Sequence, residues 1–204
     1  MIFDMHTHTT LSSCSVIDIH EMIDIAKNSD LDGICITDHD TMDIRHHINE
    51  GRQANGLTVI FGMEYDTPYG DFLIYGPYEY IDKKMGAADL LNYVHATKGI
   101  AIAAHPFRKD RPVKEVFFQN GLCPMIESIN GRNSDIENLR ADRWAKRYAL
   151  TESGGSDAYI LDELGRVVTR FSMPILSRKD LIHAMNHSLC KPEWHTHHKM
   201  ALSY

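Results

Sequence analysis

The chain is poor in positive charge, has no closely spaced cysteine pair, and has no apolar run of membrane-spanning length. Lys and Arg total 21 against 28 Asp and Glu, a net charge of −7. That excludes a nucleic-acid binder working through a broad basic field, but leaves room for a small anionic substrate held by a few local cations. Cys14, Cys35, Cys123 and Cys190 are scattered and form no C-x-x-C pair, which argues for reduced thiols and a cytoplasmic setting rather than a disulfide framework. A secretory leader is not expected, because Asp4 and histidines stand where a basic start and an apolar run would be. No stretch approaches the roughly 20 apolar residues of a transmembrane helix. Internal repeats, low-complexity tracts and linkers are missing too. A single domain over residues 1–204 is therefore expected, with a barrel over about 1–190 and a tail over 191–204.

What is present is a run of short apolar segments alternating about seven times with segments of helical spacing, the signature of a parallel α/β structure. Strands are expected from Ile2, at Ile34–Thr37, Leu57–Met63, Asp71–Gly76, Gly99–Ala104, Pro124–Asn130, Leu150–Glu152 and Val167–Phe171. Helices are expected over about 17–29, 43–55 (closed by Gly56), 87–97, 134–148 and 177–187. Tyr69-Gly70 reads as a turn that makes Asp71–Gly76 a hairpin partner of the strand before it. The tail from Cys190 to Tyr204 has no clear period, and its His195, His197 and His198 read as solvated.

The chain carries 13 histidines, and several polar residues stand where apolar strands end. In Asp4-Met5-His6-Thr7-His8, strand alternation puts Asp4, His6 and His8 on one face. Neutral imidazoles bind zinc, manganese or iron, and carboxylates suit the harder ions. Asp38-His39-Asp40, Glu64, His105-Pro106 and Asp157 recur at comparable strand ends, with Glu127 and Asn130 near the end of the sixth strand. In an α/β barrel the C-terminal strand ends carry the active site. Gly154-Gly155-Ser156 reads as flexible backbone that swings Asp157 into the site, and Ser156 has no identifiable histidine base for a nucleophilic role.

The D-x-H-x-H start, the Thr37-Asp38-His39 strand end, Glu64 after an apolar strand, His105-Pro106 and the late Gly155-Ser156-Asp157 together resemble the PHP (polymerase and histidinol phosphatase) superfamily, from Ile2 to about Pro192. The resemblance implies a distorted (β/α)7 TIM-like barrel holding two or three divalent ions (manganese, iron or zinc). It implies His6 and His8 as ligands of a first ion with Asp157 closing its shell, Glu64 as a bridge, His105 on a second ion, and His39 on a third ion or on the leaving group. Asp4, Asp38 and Asp40 would stand behind these ligands and orient them. This chain departs from the pattern in places. Tyr159 stands where a histidine is usual, Cys14 or Ser13 occupies the loop position of the third site, and His39, Cys14 and Tyr159 make a poor third set. The strand Asp71–Gly76 offers no histidine to the second ion, leaving Asp71 or Tyr78 as substitutes.

The activity implied is a metal-dependent phosphoesterase acting on a small phosphorylated metabolite: a nucleotide, or a sugar or amino-alcohol phosphate. Paired ions about 3.5–4 Å apart activate water and grip both oxygens of an in-line displacement. His39, Asp157 and Arg108 would carry the catalysis, with Arg108, Arg132 and Asn130 on the phosphate. No membrane or nucleic-acid partner is expected, and the oligomeric state is open. Two other readings compete. One is a non-catalytic scaffold or ligand-sensing domain, motivated by Tyr159. The other is a metal hydrolase of the amidohydrolase kind, a family that usually carries a bridging lysine or a late catalytic aspartate; no lysine sits at a strand end here.

Overall fold

The computed structural model describes residues 1–195; His197 and His198 lie outside them. Strand β1 (Ile2–Thr7) leads to helix α1 (Ile19–Asn28), whose first turn is capped by the Asp18 carboxylate. Strand β2 (Gly33–Ile36) follows. The helix expected over 43–55 does not form. A single 3-10 turn over Asp43–His46 buries Ile44, and then Gly51 takes a φ of +104° to open the two-residue strand β3 (Gly51–Arg52). Glu50 is drawn off to accept the Phe61 N–H and to pair with Arg178, so the second half of that segment has a tertiary job that a helix would forbid.

Strands β4 (Thr58–Phe61) and β5 (Met63–Thr67) flank Gly62, and β6 (Gly70–Tyr75) folds back on β5 as the Tyr69-Gly70 turn suggests. Next come α2 (Ala87–Ala96), β7 (Ile100–Ala103), the single turn α3 (Val116–Gln119) and β8 (Met125–Asn130). Helix α4 (Asp135–Tyr148) opens with a complete capping box between Ser134 and Glu137. Strands β9 (Thr151–Gly155) and β10 (Val167–Phe171), helix α5 (Arg178–Asn186) and strand β11 (Cys190–Trp194) complete the described chain. The last strand corrects the reading of the tail as aperiodic: Cys190–Trp194 pairs antiparallel with β10, and Pro192 is tolerated because the strand lies at a sheet edge.

The architecture is mixed α/β rather than uniformly parallel. One sheet runs β11-β10-β1-β2-β4-β3 and the other β5-β6-β7-β8-β9. The pairs β1/β2, β2/β4, β7/β8 and β8/β9 are parallel, while β6 is antiparallel to both neighbours. The sheets meet along two seams. At one, Asp157 N–H donates to the His6 carbonyl at 2.8 Å and His8 N–H to the Ala158 carbonyl at 3.2 Å. At the other, Asp40 N–H donates to the Glu64 carbonyl at 2.9 Å beside the kink at Gly62. Phe3, Met5, Cys35, Ile60, Leu73 and Ile102 form an apolar cluster shared by both sheets, and a second, larger cluster packs the other strand faces against the helices. Each large side chain so buried contributes about 1.5–3 kcal/mol, which gives the framework the stability to hold costly polar groups at the strand ends. Among the described residues no helix is long and apolar enough to cross a membrane.

Candidate metal centre

Four ligand-type side chains from three places in the sequence converge where the seams meet. His6 Nε2 lies 3.1 Å from His8 Nε2, and each nitrogen is 3.2 Å from Glu64 Oε2. Asp157 Oδ1 stands 3.4 Å from His6 Nε2 and 3.3 Å from His8 Nε2. Ligand atoms of one tetrahedral ion with 2.0–2.1 Å bonds stand about 3.3 Å apart, so these spacings fit a shared cation. Glu64 also faces away: its Oε1 is 2.7 Å from His105 Nε2, and Asp71 joins Glu64 and His105 in a second group of potential ligands. Glu64 thus belongs to both groups.

The unpartnered atoms support the fit. Five buried side-chain polar atoms lack a hydrogen-bond partner among the described residues, and two of them, Asp157 Oδ1 and Asp71 Oδ1, belong one to each ligand group. Orphaned buried polar atoms are rare and costly; here they cluster where an ion would bind. Charge points the same way, because Glu64, Asp71, Glu127 and Asp157 are all buried within one small region. Burial opposes ionisation of Glu64, yet His6 and the hydrogen bonds from His105, His6 and His8 outweigh it and hold the carboxyl well below its usual range. Asp157 is held low in the same way by His6, His8, His105 and Arg108 against the cost of burial. For Asp71 the balance falls the other way: burial, with the Glu64 charge beside it, outweighs His105 and Arg111 and pushes its carboxyl up to about 6.

Backbone geometry aims the ligands. His105 and Asp157 take left-handed φ values of 28° and 55°, strained for non-glycine residues and characteristic of functional turns. Gly155 permits the approach of β9 to β1, since a Cβ there would lie 2.4 Å from His6 Cβ. The glycines before Asp157 therefore belong to a strand packed against the site, not to a flexible hinge.

The carboxylates expected to orient the imidazoles are arranged differently from the expectation. Asp4 accepts hydrogen bonds from His6 N–H, Ser156 N–H, Gly165 N–H and Ser156 Oγ, and so ties β1 to the β9–β10 connection without touching an imidazole. A register shift in β1 between Asp4 and Thr7 breaks the simple alternation that would have grouped Asp4 with His6 and His8. The His6 ring is held instead by Glu127, 3.0 Å from Nδ1, and the other Glu127 oxygen accepts the His105 N–H. Asp38 acts at one remove: it accepts from Thr9 and from Ser12 Oγ, and Ser12 Oγ lies 3.3 Å from His8 Nδ1. Asp40 accepts the Asp66 N–H and holds the loop rather than a ligand.

Above the ligands lies a cleft of about 340 Å³ lined by Ser13, Cys14, His39, Glu64, Asp66, Asp71, His105, Arg108, Arg111 and Tyr159. A larger hollow of about 460 Å³ between α4 and β11 gathers no such ligand cluster. Arg108 donates to Asp157 Oδ2 at 2.6 Å and to Asn130 and Asn133, while Asn130 also donates to Glu127. His39 Nδ1 is 3.2 Å from Asp66 and 3.4 Å from Glu64. Tyr159 packs its ring 4.8 Å from His8, and Cys14 stands exposed beside it. Arg132 turns away from the ligands: it pairs with Glu163 and lies over the Tyr159 ring. Tyr78 is buried elsewhere against Thr97 and does not reach the second ligand group.

A mixed α/β chain with buried histidines and carboxylates converging at its strand ends has the form of a metal-centred domain. The chain belongs to the PHP domain family, whose model matches residues 4–152, and a PHP-associated model matches 135–188. The protein MJ0417 of Methanocaldococcus jannaschii, described as uncharacterized, is 26% identical over 189 residues, covering 88% of this chain and 74% of its own. The crystal structure of PsfC from Pseudomonas syringae superposes with a TM-score of 0.78 at 20% identity over 98% of this chain and 94% of its own. A “putative metal-dependent phosphoesterase” from Bifidobacterium adolescentis superposes at 0.59 with 15% identity, covering 78% and 87% of the two chains. An amidohydrolase from Chromobacterium violaceum, solved with sulfate and no metal, superposes at 0.56 with 15% identity over 77% and 87%.

Proposed function

We propose that this protein is a metal-dependent phosphoesterase that hydrolyses a small phosphorylated metabolite. The observation that carries the reading is Glu64, a buried carboxylate shared between the His6–His8–Asp157 group and the His105–Asp71 group. A pair of divalent ions held there would supply an activated water and positive charge for the transferred phosphoryl group. The chain's own residues do the rest. Arg108, fixed by Asp157, Asn130 and Asn133, presents a guanidinium whose planar donors match phosphate oxygens. Asn130 and Glu127 keep Asp157 and His6 from rotating. His39, part-exposed in the cleft and steadied by Asp66, is placed to meet the leaving group.

The same reading takes β1, β2, the kinked β4–β5 run, β6, β7, β8 and β9 as the seven strands of one distorted barrel, joined by the two seams. Four free cysteines are consistent with a cytoplasmic protein. The ligand set is complete enough that a purely structural role has little to recommend it. The test is a screen of phosphate monoesters and diesters on manganese-loaded protein, with Glu64→Ala beside wild type. Turnover in wild type that vanishes in the variant supports the reading. Hydrolysis of amides but not phosphate esters would transfer the site to amidohydrolase chemistry, and turnover of neither would favour a ligand-sensing domain.

A further inference from the structure

We infer that Arg111 is a place-holder cation for the second metal ion, occupying Asp71 until the ion displaces it. The inference rests on the metal-centre reading above and concerns how that centre is loaded.

Asp66 and Asp71 face each other across the β5–β6 hairpin as a cross-strand pair. Like charges directly opposite on a sheet repel, and Asp71 is buried. Arg111, from the loop after β7, bridges them: one terminal nitrogen is 3.0 Å from Asp71 Oδ2 and the other 2.9 Å from Asp66 Oδ2. The bridge is incomplete, because Asp71 Oδ1 is buried with no partner. That same carboxylate lies within 4.8 Å of the ligand atoms of Glu64 and His105. A guanidinium brings one charge to a site whose remaining acceptor it does not reach. A divalent ion brings two charges to the pocket formed by Glu64, His105 and Asp71.

The two cations compete for one carboxylate, and their exchange is physically easy. Arg111 is 44% exposed, so its head can leave for solvent or the cleft without desolvation cost. The pocket beside it, which shares Asp71, offers two carboxylates and one imidazole, against two imidazoles and two carboxylates in the first pocket. Carboxylate-rich sets suit harder ions, so the second pocket should favour manganese over zinc more than the first does.

The test is titration of the metal-stripped full chain with Mn²⁺, followed by calorimetry and by loss of the free-ion paramagnetic signal, in wild type, Arg111→Gln, Arg111→Lys and Asp71→Asn. Wild type should show two classes of site. In Arg111→Gln the weaker class should tighten about tenfold or more, the scale of removing a neighbouring like charge at modest effective dielectric. Arg111→Lys should stay near wild type, and Asp71→Asn should lose the weaker class while keeping the tighter one. Unchanged or weakened Mn²⁺ binding in Arg111→Gln would overturn the inference. If that variant instead lost only binding of inorganic phosphate to the loaded protein, Arg111 would be an anion receptor and not a place-holder. No Mn²⁺ binding by wild type would defeat the metal-centre reading and this inference together. Two classes indifferent to Arg111 would defeat the inference alone.

Discussion

Glu127 grips the metal-facing histidine from behind: its Oε1 lies 3.0 Å from His6 Nδ1, leaving His6 Nε2 turned toward His8, Glu64 and Asp157. Its Oε2 accepts the His105 N–H at 2.8 Å. One carboxylate therefore sets the ring orientation of a ligand to the first pocket and the backbone of a ligand to the second. Replacing such a supporting group typically costs 10–100-fold in metal affinity. Glu127→Gln should weaken the tighter metal site by about that factor, measured by competition with a chelator, while the protein still folds. An unchanged affinity would mean that His6 is oriented by its backbone alone.

Asp4 has a different consequence. Four donors converge on its carboxylate, and none belongs to an imidazole ring. Asp4→Asn would turn an NH2 group toward donors and leave at least one buried polar group unsatisfied, at a cost of about 1–3 kcal/mol. Denaturant unfolding should register that loss, with metal stoichiometry unchanged in the folded variant. Loss of metal without loss of stability would return Asp4 to a ligand-supporting role.

How these roles were legible differs residue by residue. His6, His8, Glu64, His105 and Asp157 stand out in the sequence because each lies at the end of an expected strand, and the fold brings their side chains into two adjoining groups. Glu127 is visible as a charge inside a strand, but its partner His6 lies 121 positions away, and only the fold brings the two together. The Asp66–Asp71–Arg111 bridge depends on hairpin register, which a one-residue slip would abolish. Arg132 follows Asn130 closely, yet sequence proximity says nothing about direction, and Glu163 draws it aside. The helix expected over 43–55 does not form for a related reason: local spacing favours it, but the tertiary bonds of Glu50 prevail.

A small-residue requirement gives the next expectation. Gly155→Ala would place a methyl group 2.4 Å from His6 Cβ and 2.7 Å from His6 N, neither of which can move freely within β1. Overpacking of this kind costs about 1–3 kcal/mol. Both the melting temperature and the affinity of the tighter metal site should fall. A fall in stability with metal affinity intact would show that the β1–β9 seam is not what positions His6.

The pH dependence of the metal-free protein follows from the imidazoles. Burial opposes protonation of His6, but Asp157, Glu127 and Glu64 outweigh it and raise its pKa well above 6.5. His8 is likewise raised by Asp157 and Glu64 against burial. Groups raised on folding stabilise fully below their unfolded pKa, and that contribution is lost as pH rises through the folded value. The melting temperature of metal-stripped protein should therefore fall from about pH 6.5 upward. Ion binding requires neutral imidazoles and strengthens with pH, so the stabilisation added by Mn²⁺ should widen over the same range. A metal-free melting temperature that stays level or rises there would contradict the charge state assigned to His6 and His8.

The most direct test of the shared-carboxylate account is metal content by elemental analysis of untagged protein, wild type beside Glu64→Ala. The account predicts two ions per chain in wild type and a clear loss in the variant, because Glu64 serves both ligand groups. One ion or none, unchanged when Glu64 is removed, would contradict it.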